Sequence, residues 1–218
     1  ERGLRRLMSI NLLKRLESSV HSFRLTLERI QEVSGNALKK IEQAQNGVLS
    51  AVDDYCSADG FDFDDASDDI FIGGGKTTIN LADMDYVSWQ RYLEADIETL
   101  DLLTLMLQDI TPEHDCKLLQ LMDDLRNKWM HPINEGNKKV IIFTAFSDTA
   151  EYLYDTLATA IKEKHGLNTV LITGSVDARS TLKMKDNKGL SFNQALTLFS
   201  PRSKDKEALY PNIHEEID

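Results

Sequence analysis

Cysteine is scarce in this chain, and long apolar runs are missing. Only Cys56 and Cys116 occur in 218 residues, neither with a CxxC neighbour or a histidine at metal-ligand spacing. That argues against a disulfide framework or a zinc site and for a reducing compartment. No apolar stretch approaches the ~20 residues a helix needs to cross a bilayer. A basic-then-apolar leader is also lacking, so the expectation is a cytoplasmic protein with no membrane partner. His21, His114, His131, His165 and His214 are scattered without i, i+4 pairing. They give no support to a zinc peptidase, and neither a nucleophile elbow nor a local acid–base pair stands out.

Positive charge is absent from one segment. Residues 53–69 hold eight aspartates and no Lys or Arg, and without those eight the net charge of −11 becomes −3. The acidity is therefore local, and its composition predicts a disordered surface loop. The spacing and closing glutamate of a calcium-binding EF-hand are not there. Lys183 to Lys206 reverses the sign, with six Lys or Arg against two Asp. Such a stretch either follows a phosphate backbone or is a solvated loop. Gly73-Gly74-Gly75-Lys76-Thr77-Thr78 ends like a phosphate-binding P-loop, but position 70, where the motif needs glycine, is Ile. Its flanks are an Asp-rich loop and an extended Ile79-Asn80-Leu81, so a turn or short hairpin fits better than a nucleotide site.

What is present, at 41% hydrophobic content, is enough for a core. Leu13, Leu16, Val20, Phe23, Leu27 and Ile30 recur at alternating spacings of 3 and 4. That seam predicts a long helix, continuing weakly through Ala37, Ile41, Ala44 and Val48, and packed within the chain rather than in a dimeric coiled coil. A second helix is expected over about 83–108, with Trp89, Leu93, Ile97, Leu100, Leu103 and Leu107 on one side. Thr111-Pro112 reads as the opening of a third, through Leu118, Leu121, Met122, Leu125 and Trp129. Pro132 stops it, and Glu135-Gly136-Asn137 makes a turn.

The pattern then changes. Val140-Ile141-Ile142-Phe143 reads as a buried strand, Thr144 to Thr149 as a polar turn, Ala150 to about Lys164 as a helix, and Val170-Leu171-Ile172 as a second strand before Thr173-Gly174-Ser175. A strand–helix–strand unit has its ligands at the carboxyl ends of the strands. Thr144, Phe146, Ser147 and Thr149 are placed to meet a phosphate, sugar or base there. The plainer reading is that Ser147 or Asp148 only caps the helix. Thr173-Gly174-Ser175 offers hydroxyls and close backbone approach, or is an ordinary turn. Ser191 is read as the cap of a short helix over Phe192 to Phe199. The fold class expected is mixed: antiparallel helices over 1–133, then a partial parallel α/β sheet over 134–218.

Ile141-Ile142-Phe143-Thr144 and Thr173-Gly174-Ser175 resemble the opening of the second RecA-like lobe of superfamily 2 helicases, in particular the Swi/Snf-type ATP-dependent DNA translocases. Leu12 to Ser19 is similar to a stretch between the lobes of bacterial members. The resemblance implies an inter-lobe helical region followed by part of that lobe. Thr144, Phe146, Ser147, Thr173, Gly174, Ser175 and Arg179 would then contact a nucleic-acid backbone, although an arginine in the position of Arg179 can equally be a solvated surface residue. It implies duplex DNA as partner, the other RecA-like lobe of the same parent, and ATP with Mg in that parent. No ATP-hydrolysis motif of the family is present, so the chain itself is expected to bind no cofactor and to be inactive. Ile213 to Asp218 looks like the run into a further strand. The reading from another class is a helical interaction or scaffold module joined to a non-catalytic α/β domain. A small-molecule enzyme lacks any acid, base or metal set.

Overall fold

The computed structural model describes residues 2–46, 51–52, 79–80, 85–174, 178–182 and 189–218. The acidic stretch 53–69, the glycine-rich 73–78 and the lysines of 183–188 lie outside the described residues. Two compact units divide at Thr111 and Pro112.

In the first unit, α1 (Arg2–Ser18) and α2 (Val20–Gln45) replace the single long helix expected. The interruption is Ser19, whose hydroxyl accepts from the Ser22 amide at 3.0 Å. A serine that offers its own oxygen to the backbone favours a helix start over a helix interior. The buried Arg15 donates Nη1 to Ser22 Oγ at 3.3 Å across the break. Short strands β1 (Ala51–Val52) and β2 (Ile79–Asn80) pair antiparallel. Helix α3 (Tyr86–Leu107) begins at Asp85, whose carboxylate accepts from the Ser88 amide. Ala37 and Ile41 of α2 close over Leu93, with Tyr86 and Trp89 packed alongside. The expected seam is thus buried in its later part, at Leu27, while Leu13 and Leu16 are exposed.

The second unit opens with α4 (Cys116–Met130), started by Asp115 rather than Thr111. One Asp115 oxygen accepts from the amides of Lys117 and Leu118 at 3.1 and 3.0 Å. Two orphan helix donors are satisfied at once, which Thr111 cannot do from the turn preceding it. The change of regime expected near 133 therefore differs from the division at 111–112. Helix α4 packs Leu118 and Leu125 against Leu157 of α5 (Ser147–His165). Gly136 and Gly166 hold φ values of 73° and 69°, the first in the expected turn and the second ending α5. Both are conformations that glycine adopts without the cost a Cβ imposes.

No parallel sheet forms among the described residues. β3 (Val170–Leu171) pairs antiparallel with β4 (Arg179–Ser180), and Ala178 bridges Leu190. Val140–Phe143, expected as a buried strand, forms no ladder with any described residue: Ile141 is 60% and Phe143 88% exposed, while Val140 is half-buried against the Leu118, Leu125 and Leu157 cluster. Apolar β-branched composition gives a segment the preference for a sheet, but the ladder needs a neighbour, and no described residue bonds to this backbone. Helix α6 (Phe192–Phe199) has the expected Ser191 start, as a full capping box with Gln194. Its Ala195 and Leu198 form a core with Leu182, Leu190 and Ile217. The four-residue α7 (Lys206–Leu209) follows.

Candidate nucleic-acid interface

The turn from Val140–Phe143 into α5 carries three of the proposed contact residues. The N-cap of α5 is Phe146, in extended conformation and without a side-chain cap bond, so neither Ser147 nor Asp148 caps the helix. The Thr144 hydroxyl donates to the Phe146 carbonyl at 2.8 Å. That same carbonyl receives the amides of Thr149 and Ala150. Thr144 therefore fixes the turn, and its hydroxyl proton is committed. Ser147 is half-buried in the first turn of α5, and Thr149 is buried. The amides that open this turn are the polar groups suited to an anion.

Thr173 and Gly174 come after β3 and Ile172, Thr173 half-buried and Gly174 exposed. Ser175 lies outside the described residues. Arg179 stands on β4 opposite Leu171. Its guanidinium reaches α5, where it pairs with Asp155 and lies over the Tyr154 ring at 4.9 Å from the centroid. The hydrogen bond to Asp155 holds Arg179 above its ordinary range. Burial pushes the Tyr154 hydroxyl up, and the nearby Arg179 charge opposes that.

Asp155 lies eight residues into α5, about 12 Å along the axis from Ser147. The structure therefore brings Arg179 to the side of α5 with Tyr154 and Asp155, while Thr144, Phe146 and Ser147 gather at its N-terminus. Tyr154 and Asp155 are the residues that sequence reasoning missed. A hairpin folding back over a helix is a long-range event with no local signature, although Glu151 and Asp155 at i, i+4 do mark one face of α5 as acidic.

The basic stretch is divided in its roles. Arg202 and Lys204 are exposed. Lys206 is 7% exposed and donates Nζ to the carbonyls of His214 and Glu215 at 3.3 and 2.8 Å. It is an internal brace for residues 213–218. Lys139 acts similarly, donating to the Phe199 carbonyl and to Glu216 at 2.7 and 2.8 Å. Among the described residues no three His, Cys, Asp or Glu side chains converge as metal ligands, and no helix is long and apolar enough to cross a membrane.

No protein-family model, curated protein or solved structure matches the chain.

Proposed function

We propose that this chain is part of a bacterial ATP-dependent DNA translocase of the Swi/Snf-type superfamily 2 helicases, comprising inter-lobe helices and part of the second RecA-like lobe. On this reading it grips the phosphate backbone of duplex DNA, while ATP and Mg are held by other parts of the parent. The observation that carries the proposal is the apolar Val140–Phe143 segment, without a ladder partner among the described residues, turning at Thr144 into α5. An apolar segment whose backbone bonds to no described residue is the form expected of one strand of a larger parallel sheet. Its carboxyl end meets a helix N-terminus, where α/β sheets bind anions.

Residues 216–218 support the same reading. Asp218 donates its amide to the Asn168 carbonyl at 2.9 Å, and Asn168 Nδ2 donates to the Glu216 carbonyl at 2.8 Å. Backbone pairing thus begins beside the approach to β3, and Lys139 ties Glu216 to the approach to Val140. In this proposal Thr144, Phe146, Ser147, Thr173, Gly174, Ser175 and Arg179 are the contact set. The test is anisotropy of a labelled duplex against Arg179→Ala across a salt titration. Affinity is expected to fall for all sequences alike, and the slope of log K against log salt to shrink by about 1. An unchanged slope removes Arg179 from the interface.

A helical interaction module is the second reading. It is favoured by the exposed apolar residues of α1 and α3.

A further inference from the structure

Helix α1 is the most cationic element of an acidic chain. It carries Arg2, Arg5, Arg6, Lys14 and Arg15 against Glu17 alone. Arg15 is turned inward onto Ser22, leaving Arg5, Arg6 and Lys14 exposed. Four large apolar side chains are exposed on the same helix: Leu7, Ile10, Leu13 and Leu16. Its main neighbour is α2, the helix it runs into. Helix α3 has the opposite character, with Glu94, Asp96, Glu98 and Asp101 against Arg91 alone, and exposed Leu102, Leu105 and Met106.

The two surfaces match in spacing as well as in charge. Arg6, Ile10 and Leu13 follow one another at 4 and 3 residues, as do Glu98, Leu102 and Leu105. Residues so spaced lie in one stripe of a helix. Ile10 and Leu13 are 40% and 59% exposed, and Leu102 and Leu105 are 58% and 61%. No described partner engages the side chain of Arg6 or of Glu98. Helices laid parallel with Leu13 beside Leu105 bring Ile10 to Leu102 and Arg6 to Glu98.

The geometry points to a second copy of this chain as the occupant: α1 of one protomer docks in parallel on the outer stripe of α3 of the other, and the reverse contact forms simultaneously. Such a reciprocal contact is isologous and closes as a two-fold dimer. A bilayer surface fits α1 poorly, because Arg6 shares the stripe of Ile10 and Leu13 instead of facing away from it. A phosphate backbone makes no use of four exposed apolar side chains. This inference is independent of the DNA-translocase reading.

Sedimentation equilibrium of the 218-residue chain tests it. The mass is expected to rise with concentration toward twice the 24.7 kDa of one chain. Arg6→Glu or Glu98→Arg alone should weaken association roughly tenfold or more, through like charges set face to face. The double variant R6E/E98R should restore it. Leu13→Asp should give a monomer with unchanged helical circular dichroism. A mass of one chain at every concentration overturns the inference. A double variant no better than either single one does the same, as does assembly that appears only when duplex DNA is added.

Discussion

The Tyr152 hydroxyl donates to Asp115 Oδ2 at 3.0 Å. The carboxylate that starts α4 through its other oxygen is therefore also the point where α5 is attached to it. Tyr152→Phe leaves both capping bonds intact and removes only the link, at a cost of about 1 kcal/mol. Asp115→Ala removes cap and link together and leaves the hydroxyl without its acceptor, costing roughly 2–3 kcal/mol. Urea titration followed by circular dichroism should rank the two in that order, with the double variant close to Asp115→Ala alone.

Leu198 is fully buried between Leu190 and Ile217. Leu198→Ala opens a cavity in that cluster and should cost about 3 kcal/mol. Hydrogen exchange is the measurement of choice. Amides of α6 and Ile217 should exchange faster while those of α2, which belong to the other compact unit, keep their protection.

Asp155 pairs with the Arg179 guanidinium. If Arg179 meets phosphate, Asp155 competes for it, and Asp155→Ala should raise affinity for duplex DNA. The pair is exposed, so the gain is limited to about fivefold, corresponding to the ~1 kcal/mol upper end for surface ion pairs. Anisotropy at low salt should show the increase, and Arg179→Ala in the same background should abolish it.

The Ser88 side chain and then its amide hold the Asp85 carboxyl below its usual range. A depressed carboxyl stabilises the fold above the unfolded pKa, and that contribution disappears as pH falls through the lower folded value. The start of α3 should therefore fray in acid, below about pH 4. Exchange rates at Ser88 and Trp89 followed with pH should reveal it, and Asp85→Asn, which keeps an acceptor, should flatten the profile.

Periodicity made α3, α4 and α5 legible, because each sets apolar residues at helical spacing, with Leu93, Leu118 and Leu125, and Leu157 buried. The Ser191 start of α6 was legible because a cap is a local signal; Gln194, which completes the box, adds to it. The break at Ser19 was not: the seam from Leu13 to Ile30 runs through it unchanged, and only a hydroxyl turning to its own backbone ends α1. Thr111-Pro112 has the composition of a helix start, yet Asp115 takes the role by serving two amides and Tyr152. Val140–Phe143 shows the general limit. Side-chain composition records what a segment prefers to pair with, not whether a partner lies beside it. The Arg179–Asp155 pair depends on a hairpin folding over a helix, and 24 residues of separation leave no pattern to read.

The exposure of Ile141, Ile142 and Phe143 has a consequence for solubility. Four apolar residues of high β-propensity, three of them exposed and none in a ladder with a described residue, are a template for fibril-like stacking between molecules. Lys138 and Lys139 stand immediately before them, and stacked copies would bring these ammonium groups into register. The Lys139 charge is partly neutralised by Glu216 at 2.8 Å, which leaves the exposed Lys138 as the main electrostatic guard of the segment.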